Sequence, residues 1–189
     1  MPRSFPDFRP GNVLSTAFTG TLTERRGDAV ERIPVPERLA DWLTLHGLAV
    51  ESCTDSQLDA ARKLREAIHL CATAAATGDR LPTSPVRILN DHSLRGRASA
   101  ILSPSGVRQW QLTATTAVED ALGVIAADAI DIVAGERDGT LALCASPTCR
   151  AAFFDTSQSR SRKWCDMNTC GNRQKKARMA ASRGTTSSR

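Results

Sequence analysis

Four cysteines constrain this chain more than any other feature. Cys144, Cys149, Cys165 and Cys170 follow the spacing C-x4-C, fifteen residues, C-x4-C. Two short pairs flanking a longer loop bring four thiolates to the corners of a tetrahedron. Zn²⁺ accepts that arrangement without strain, at Zn–S distances of about 2.3 Å. Each pair closes a tight knuckle, and the loop folds the second knuckle back on the first. With sulfur at every corner, no position is left for water or substrate, so the expected ion is one structural Zn²⁺. Three other readings use the same residues. Disulfides need an oxidising compartment, and nothing at the N-terminus routes the chain to one. Inert buried thiols would not crowd four into the 27 residues from 144 to 170. An iron–sulfur cluster, also held by four thiolates, is the serious rival.

The cysteine segment is also where the positive charge lies. Residues 1–149 carry 15 Lys/Arg and 18 Asp/Glu, whereas residues 150–189 carry 10 Lys/Arg against only Asp155 and Asp166. A compact basic module joined to an acidic body points to a polyanionic partner. An Arg-rich composition explains why only four of the 25 basic residues are Lys, but it does not explain the split between the two parts. The 189 residues suffice for one ordinary domain and a small module, and 41% hydrophobic content suffices for a packed core. The longest apolar run, Ala121 to Ala127, is too short to span a bilayer and is followed by Asp128 and Asp131. With no apolar signal-peptide core in Met1–Pro6, a cytoplasmic protein without membrane contact is expected.

Along the chain, residues 1–12 read as an irregular arm. Val13–Thr23 suits either a short strand or a helix start, and Gly27-Asp28 marks a turn. Pro36 fits the first position of a helix running to about His46, with Leu39, Trp42 and Leu43 on one face and Gly47 at its end. Thr54-Asp55-Ser56-Gln57 is a capping box, followed by Leu58, Ala61, Leu64, Ile68 and Cys71 at helical spacing until Gly78. Ser84-Pro85 opens a shorter helix to about His92. Ala98–Leu102 and Val107–Leu112 then read as a hairpin around Pro104-Ser105-Gly106. Thr115 or Thr116 can cap another helix, with Val118, Leu122, Ile125, Ile130 and Val133 as its stripe and Gly135 as its stop. Asp138-Gly139 turns the chain into a strand, Thr140–Leu143, that delivers Cys144. Arg173–Arg183 has the composition of a helix stopped at Gly184.

Catalytic chemistry finds no support. His46, His69 and His92 have no acidic or nucleophilic residue at a recognisable spacing, and His69 and Cys71 point to different faces of one helix. Cys71 belongs to the apolar stripe, and Cys53 is an unpaired thiol. No nucleophile elbow, phosphate loop or dinucleotide fingerprint is present. A binding protein is expected, not an enzyme. On the terminal helix, Lys175, Lys176, Arg178 and Arg183 share an arc that can face phosphates, while Ala177, Ala180 and Ala181 suit packing on the knuckles. Arg173 falls on the alanine side, so it serves either the nucleic acid or the metal site's surroundings. Arg160, Arg162 and Lys163 form a second basic cluster between the knuckles. Phe153, Phe154 and Trp164 are read as the finger's small core, Asn172 as a turn or cap residue, and Gly171 as a position where a side chain would crowd the metal.

Trp164-Cys165 followed by Cys170-Gly171-Asn172-Arg173 resembles the CGNR zinc-finger family of bacterial proteins, and Phe153-Phe154-Asp155, Ser157 and Lys175 match it too. The match covers about 35 residues well. Near its start the family has an Asp-hydrophobic-x-Asn-Thr-like element. The corresponding stretch here, Ala17-Phe18-Thr19-Gly20-Thr21, has neither the acid nor the Asn. The resemblance implies a finger carried C-terminal to a domain described as a transcription regulator induced by stress. The expected architecture is α+β: a mostly helical N-terminal domain with a small β-hairpin (1–138), a four-cysteine finger (139–183) and a disordered tail (184–189). The finger is expected to bind DNA through Arg160, Arg162, Lys163, Arg173, Lys175, Lys176 and Arg178. The N-terminal domain is expected to regulate or dimerise it and to sense a small-molecule effector. RNA binding, or a zinc-stapled protein-interaction module, are the alternatives.

Overall fold

Capping and apolar spacing place the helices of this chain where its sequence marks them. The computed structural model describes residues 5–9 and 11–186. In chain order the elements are α1 (Leu14–Thr19), β1 (Leu22–Thr23), β2 (Val30–Glu31), α2 (Pro36–Leu45), α3 (Asp55–Thr77), α4 (Thr83–Arg95), β3 (Ser99–Leu102), β4 (Arg108–Gln111), α5 (Ala117–Ala134), β5 (Thr140–Leu143) and β6 (Ala152–Asp155). A π-helical turn (Met167–Gly171) then leads into α6 (Asn172–Thr186). The strands pair as three separate antiparallel hairpins, β1–β2, β3–β4 and β5–β6. The chain is therefore α+β, with helices dominating its N-terminal part. Among the described residues no helix is long and apolar enough to cross a membrane.

Helix α3 is the centre of the core. The Thr54 hydroxyl accepts the Gln57 N–H at 3.2 Å and the Gln57 side chain accepts the Thr54 N–H at 2.8 Å, closing the expected capping box. Leu58, Ala61, Leu64, Ile68 and Cys71 are all buried, and Gly78 ends the helix at a φ of +73°, which only glycine adopts without strain. Each fully buried Leu or Ile contributes about 1.5–3 kcal/mol. Arg65 interrupts this apolar stripe and is itself buried. Its guanidinium forks onto both oxygens of Glu31 at 2.8 Å and also reaches Thr21 at 3.1 Å and Glu66 at 2.9 Å. That ion pair fixes β2 to α3, and a pattern of hydrophobic residues alone does not announce it.

Helices α4 and α5 cross so closely that only glycines fit. A Cβ on Gly123 would lie 2.6 Å from the Gly96 Cα, and one on Gly96 would lie 2.7 Å from the Gly123 Cα. The start of α5 departs from expectation. Thr116 occupies the N-cap but its side chain makes no cap bond. Asp120, fully buried, instead accepts the N–H groups of Arg97 at 2.9 Å and Thr113 at 2.7 Å, tying both ends of the β3–β4 hairpin to α5. A carboxylate offers two acceptor oxygens and a full charge where a threonine hydroxyl offers one neutral oxygen. Helix α4 begins at Thr83 and runs three residues past the expected end. The undecided stretch from Val13 to Thr23 is both a short helix and a strand. Helix α6 runs through Gly184 to Thr186, so residues 184–186 are helical and not a disordered tail; 187–189 lie outside the described residues. A glycine costs a helix only about 1 kcal/mol, which does not by itself end one.

Two outcomes follow from these contacts. Gly123→Ala would gain about 1 kcal/mol if helix propensity alone mattered. Against the Gly96 backbone it is expected to destabilise the fold by about 1–3 kcal/mol, seen as a lower urea midpoint at unchanged slope. Burial alone would raise the Asp120 carboxyl, but the N–H groups of Thr113 and Arg97 outweigh it and hold it below its usual 3.8. A depressed carboxyl contributes stability above its unfolded value, lost as pH falls through the folded one. Asp120→Asn is therefore expected to be less stable than the wild type at neutral pH, with the gap closing below about pH 4.

Candidate metal centre

The β5–β6 hairpin carries the first knuckle. Its register pairs Thr140 with Asp155, Leu141 with Phe154, Ala142 with Phe153 and Leu143 with Ala152. Cys144 continues it, donating its N–H to Ala151 O at 2.9 Å, while the N–H groups of Cys149 and Arg150 both reach Ser146 O at 3.2 Å. The second knuckle is the π-helical turn, closed by Gly171 N–H to Asp166 O at 3.1 Å. Asp166 caps it, accepting from Asn168 N–H at 2.8 Å and the Thr169 hydroxyl at 2.7 Å. Ala145 N–H to Lys163 O, 2.8 Å, joins the two.

This framework gathers the four sulfurs of Cys144, Cys149, Cys165 and Cys170 within 4.8 Å of one another. Cys149 Sγ lies 3.6 Å from Cys165 Sγ, which lies 3.7 Å from Cys170 Sγ. A tetrahedral ZnS4 unit with bonds of about 2.3 Å requires sulfurs about 3.8 Å apart. The donor set fits one ion. A cluster of several irons has to sit between its thiolates and needs them further apart. Hydrogen bonds from Cys149 and Cys165 pull the Cys144 thiol down to about 2, whereas Cys149 is pushed up to about 12 and Cys165 also upward by their bonds to Cys144. Without a cation, Cys144, Cys149 and Cys165 favour one thiolate among them; a divalent cation stabilises the thiolate form of its ligands. Cys144, Cys149 and Cys170 are fully buried and Cys165 half-buried, with Trp164 packed over the group.

Other expected roles shift. Trp164 does sit on the cysteines, but Phe154 packs with Ala72, Ile132, Leu141 and Ala152, so the hairpin shares its core with α3 and α5. Gly139 makes room for that ring, since a Cβ there would lie 2.2 Å from it. A side chain on Gly171 would meet Met167 and Trp164. Ala177 and Ala180 do not pack on the knuckles; they are exposed, because the π-helical turn launches α6 away from the finger. The side chain of Arg183 lies outside the described residues, as does that of Ala181.

The basic residues divide by what already holds them. Arg173, expected on nucleic acid or beside the metal, is committed to Glu24 of the body. Its Nη1 and Nη2 meet the two carboxylate oxygens at 2.5 and 3.0 Å, and Thr148 donates to the same carboxylate at 2.6 Å. Arg173 holds the Glu24 carboxyl below its ordinary range, and Glu24 raises Arg173 in turn. Arg160 donates to Asp155 O at 2.8 Å and to Asp138, and Arg162 to Cys165 O at 3.3 Å. Asp155, fully buried, accepts the N–H groups of Ser157 and Arg162, both at 2.9 Å, and so shapes the loop between the knuckles. Lys163, Lys175, Lys176 and Arg178 are exposed and have no ion-pair partner among the described residues. Glu24 and Thr148 were not foreseen. Glu24 is 149 residues from Arg173, at a φ of +55° unusual for its type, and no local pattern marks it.

These features define a four-thiolate zinc finger mounted on a helical body. Residues 140–183 match the CGNR zinc finger, and residues 12–136 match the family described as "Putative stress-induced transcription regulator". The chain belongs to that family. No curated protein matches it. The two domain descriptions together suggest a nucleic-acid-binding regulator.

Metal analysis is expected to find one zinc per chain, and Cys170→Ser to lower that well below one. Chelation should speed amide exchange from 144 to 171 while α3 to α5 stay protected. A double-mutant cycle with Glu24→Gln and Arg173→Gln is expected to show coupling of about 1 kcal/mol, modest because Arg173 is partly exposed.

Proposed function

We propose that the chain binds duplex DNA as a regulator of transcription, through the basic face of α6, and that it is not an enzyme. The observation that carries this reading is the exposure of α6. From Arg173 to Ala180 it has no buried residue, and among the described residues its substantial packing is with the π-helical turn alone. Beyond Arg173, which is tied to Glu24, the helix presents a solvated face rich in Lys and Arg, of the kind that attracts a polyanion. Lys175, Lys176 and Arg178 supply the phosphate contacts, and Lys163, exposed on the loop between the knuckles, is a further candidate. Arg160, Arg162 and Arg173 serve the finger's own structure, which narrows the set suggested by charge alone. Phosphate contacts of this kind fix register on the duplex and give affinity without reading bases.

Salt titration of the zinc-loaded protein on duplex DNA tests this. Affinity is expected to fall steeply with salt, and Lys175→Ala or Lys176→Ala each to shallow the slope by about one unit. Arg160→Gln should leave the slope nearly unchanged. Tighter binding to duplex RNA in competition would move the target to RNA, and salt-independent or absent binding would leave the finger as a protein-interaction module.

A further inference from the structure

We propose that the cleft between α1 and the finger binds a small organic anion, a molecule bearing a carboxylate or phosphate group. The cleft has a volume of about 320 Å³, the size of a small metabolite. Arg9, Thr16, Thr19 and Gly20 line it from the body, and Arg162 and Phe153 from the finger.

Three observations set its charge preference. Among the described residues, the buried Nη1 of Arg9 meets no hydrogen-bond acceptor. A buried guanidinium N–H without a partner is costly, and a ligand oxygen would remove that cost. The nearest carboxylate, Glu24, stands 3.9 Å from Arg9 Nη2 and is already held by Arg173 and Thr148. Arg32 lies behind that wall, donating to the lining Thr23 at 2.7 Å, and its guanidinium is lowered first by burial and then by the charge of Arg9, against the opposing pull of Glu24, Glu31 and Asp7. An anion between the walls relieves that repulsion, and Arg162 faces it from the other side. The acid on the rim, Asp166, is spent on capping the π-helical turn. A larger cleft of about 440 Å³ along α5 lacks such a demand. Its Asp120 and Asp128 are satisfied by Arg97, Thr113, Ser15 and Arg137.

One wall belongs to the body and the other to the finger, so an anion held there bridges the two and stiffens their junction. This goes beyond the DNA reading, and its test contains no nucleic acid. Inorganic phosphate and succinate are titrated separately into the full, zinc-loaded chain by calorimetry at constant ionic strength, with chloride as control. Saturable binding of at least one probe at one site per chain is expected. Arg9→Gln and Arg162→Gln should each weaken it at least about tenfold, while Arg80→Gln, at an exposed site elsewhere, leaves it unchanged. Should Arg9→Gln fail to fold, the exposed Arg162 carries the test. The probe that binds tells phosphate from carboxylate chemistry. Binding of neither, or binding indifferent to both arginines, overturns the proposal and leaves the DNA reading standing.

Discussion

Mutual repulsion among four sulfurs is the constraint on which the C-terminal part of this protein depends. Held within 4.8 Å, they cannot all carry charge without a cation between them. The ion that resolves the conflict also sets the shape of the segment, because the sulfurs sit at the ends of a hairpin, a tight loop and a π-helical turn. Few other forces act there. Trp164 and Ala151 pack against the cysteines, and Phe154 is turned toward the body. Metal binding and folding are in that sense one event for the knuckles.

The finger is not simply hung on the body. Phe154 enters a cluster with residues of α3 and α5, Asn12 donates to Phe154 O at 2.8 Å, and Glu24 joins Arg173 to Thr148 across the first knuckle. These contacts are of different kinds, apolar, neutral and charged, and they surround the junction. The Arg of the CGNR motif is thus a fastening between finger and body. Its commitment leaves the exposed lysines of α6 as the groups available to a partner.

Much of the helical architecture was legible because its signals are local. The Thr54 capping box, Pro36 at a helix start and Gly78 and Gly135 beyond helix ends each act within a few residues, and the structure bears them out. The four-cysteine spacing was legible for the same reason. What escaped depends on distant partners. Arg65 looks like a break in an apolar stripe until Glu31 and Thr21 are placed around it. Thr116 looks like a cap until its hydroxyl is seen donating to Asp120, one turn later. Alanine spacing on α6 suggested a packed face, but alanines bury too little area to hold a helix down, and the direction of α6 is set by the turn before it.

That turn has a consequence for how α6 exists at all. A helix of about fifteen residues with no apolar face is marginal in water, since ordering its first turn is the unfavourable step. Here the second knuckle has already ordered that turn, with Cys170 in it. The ion therefore acts as a nucleus for helicity some twenty ångströms further along, by a rise of about 1.5 Å per residue. Stripping it from the sulfurs would be felt at the far end of the tail as a melting of secondary structure, with no contact between the two.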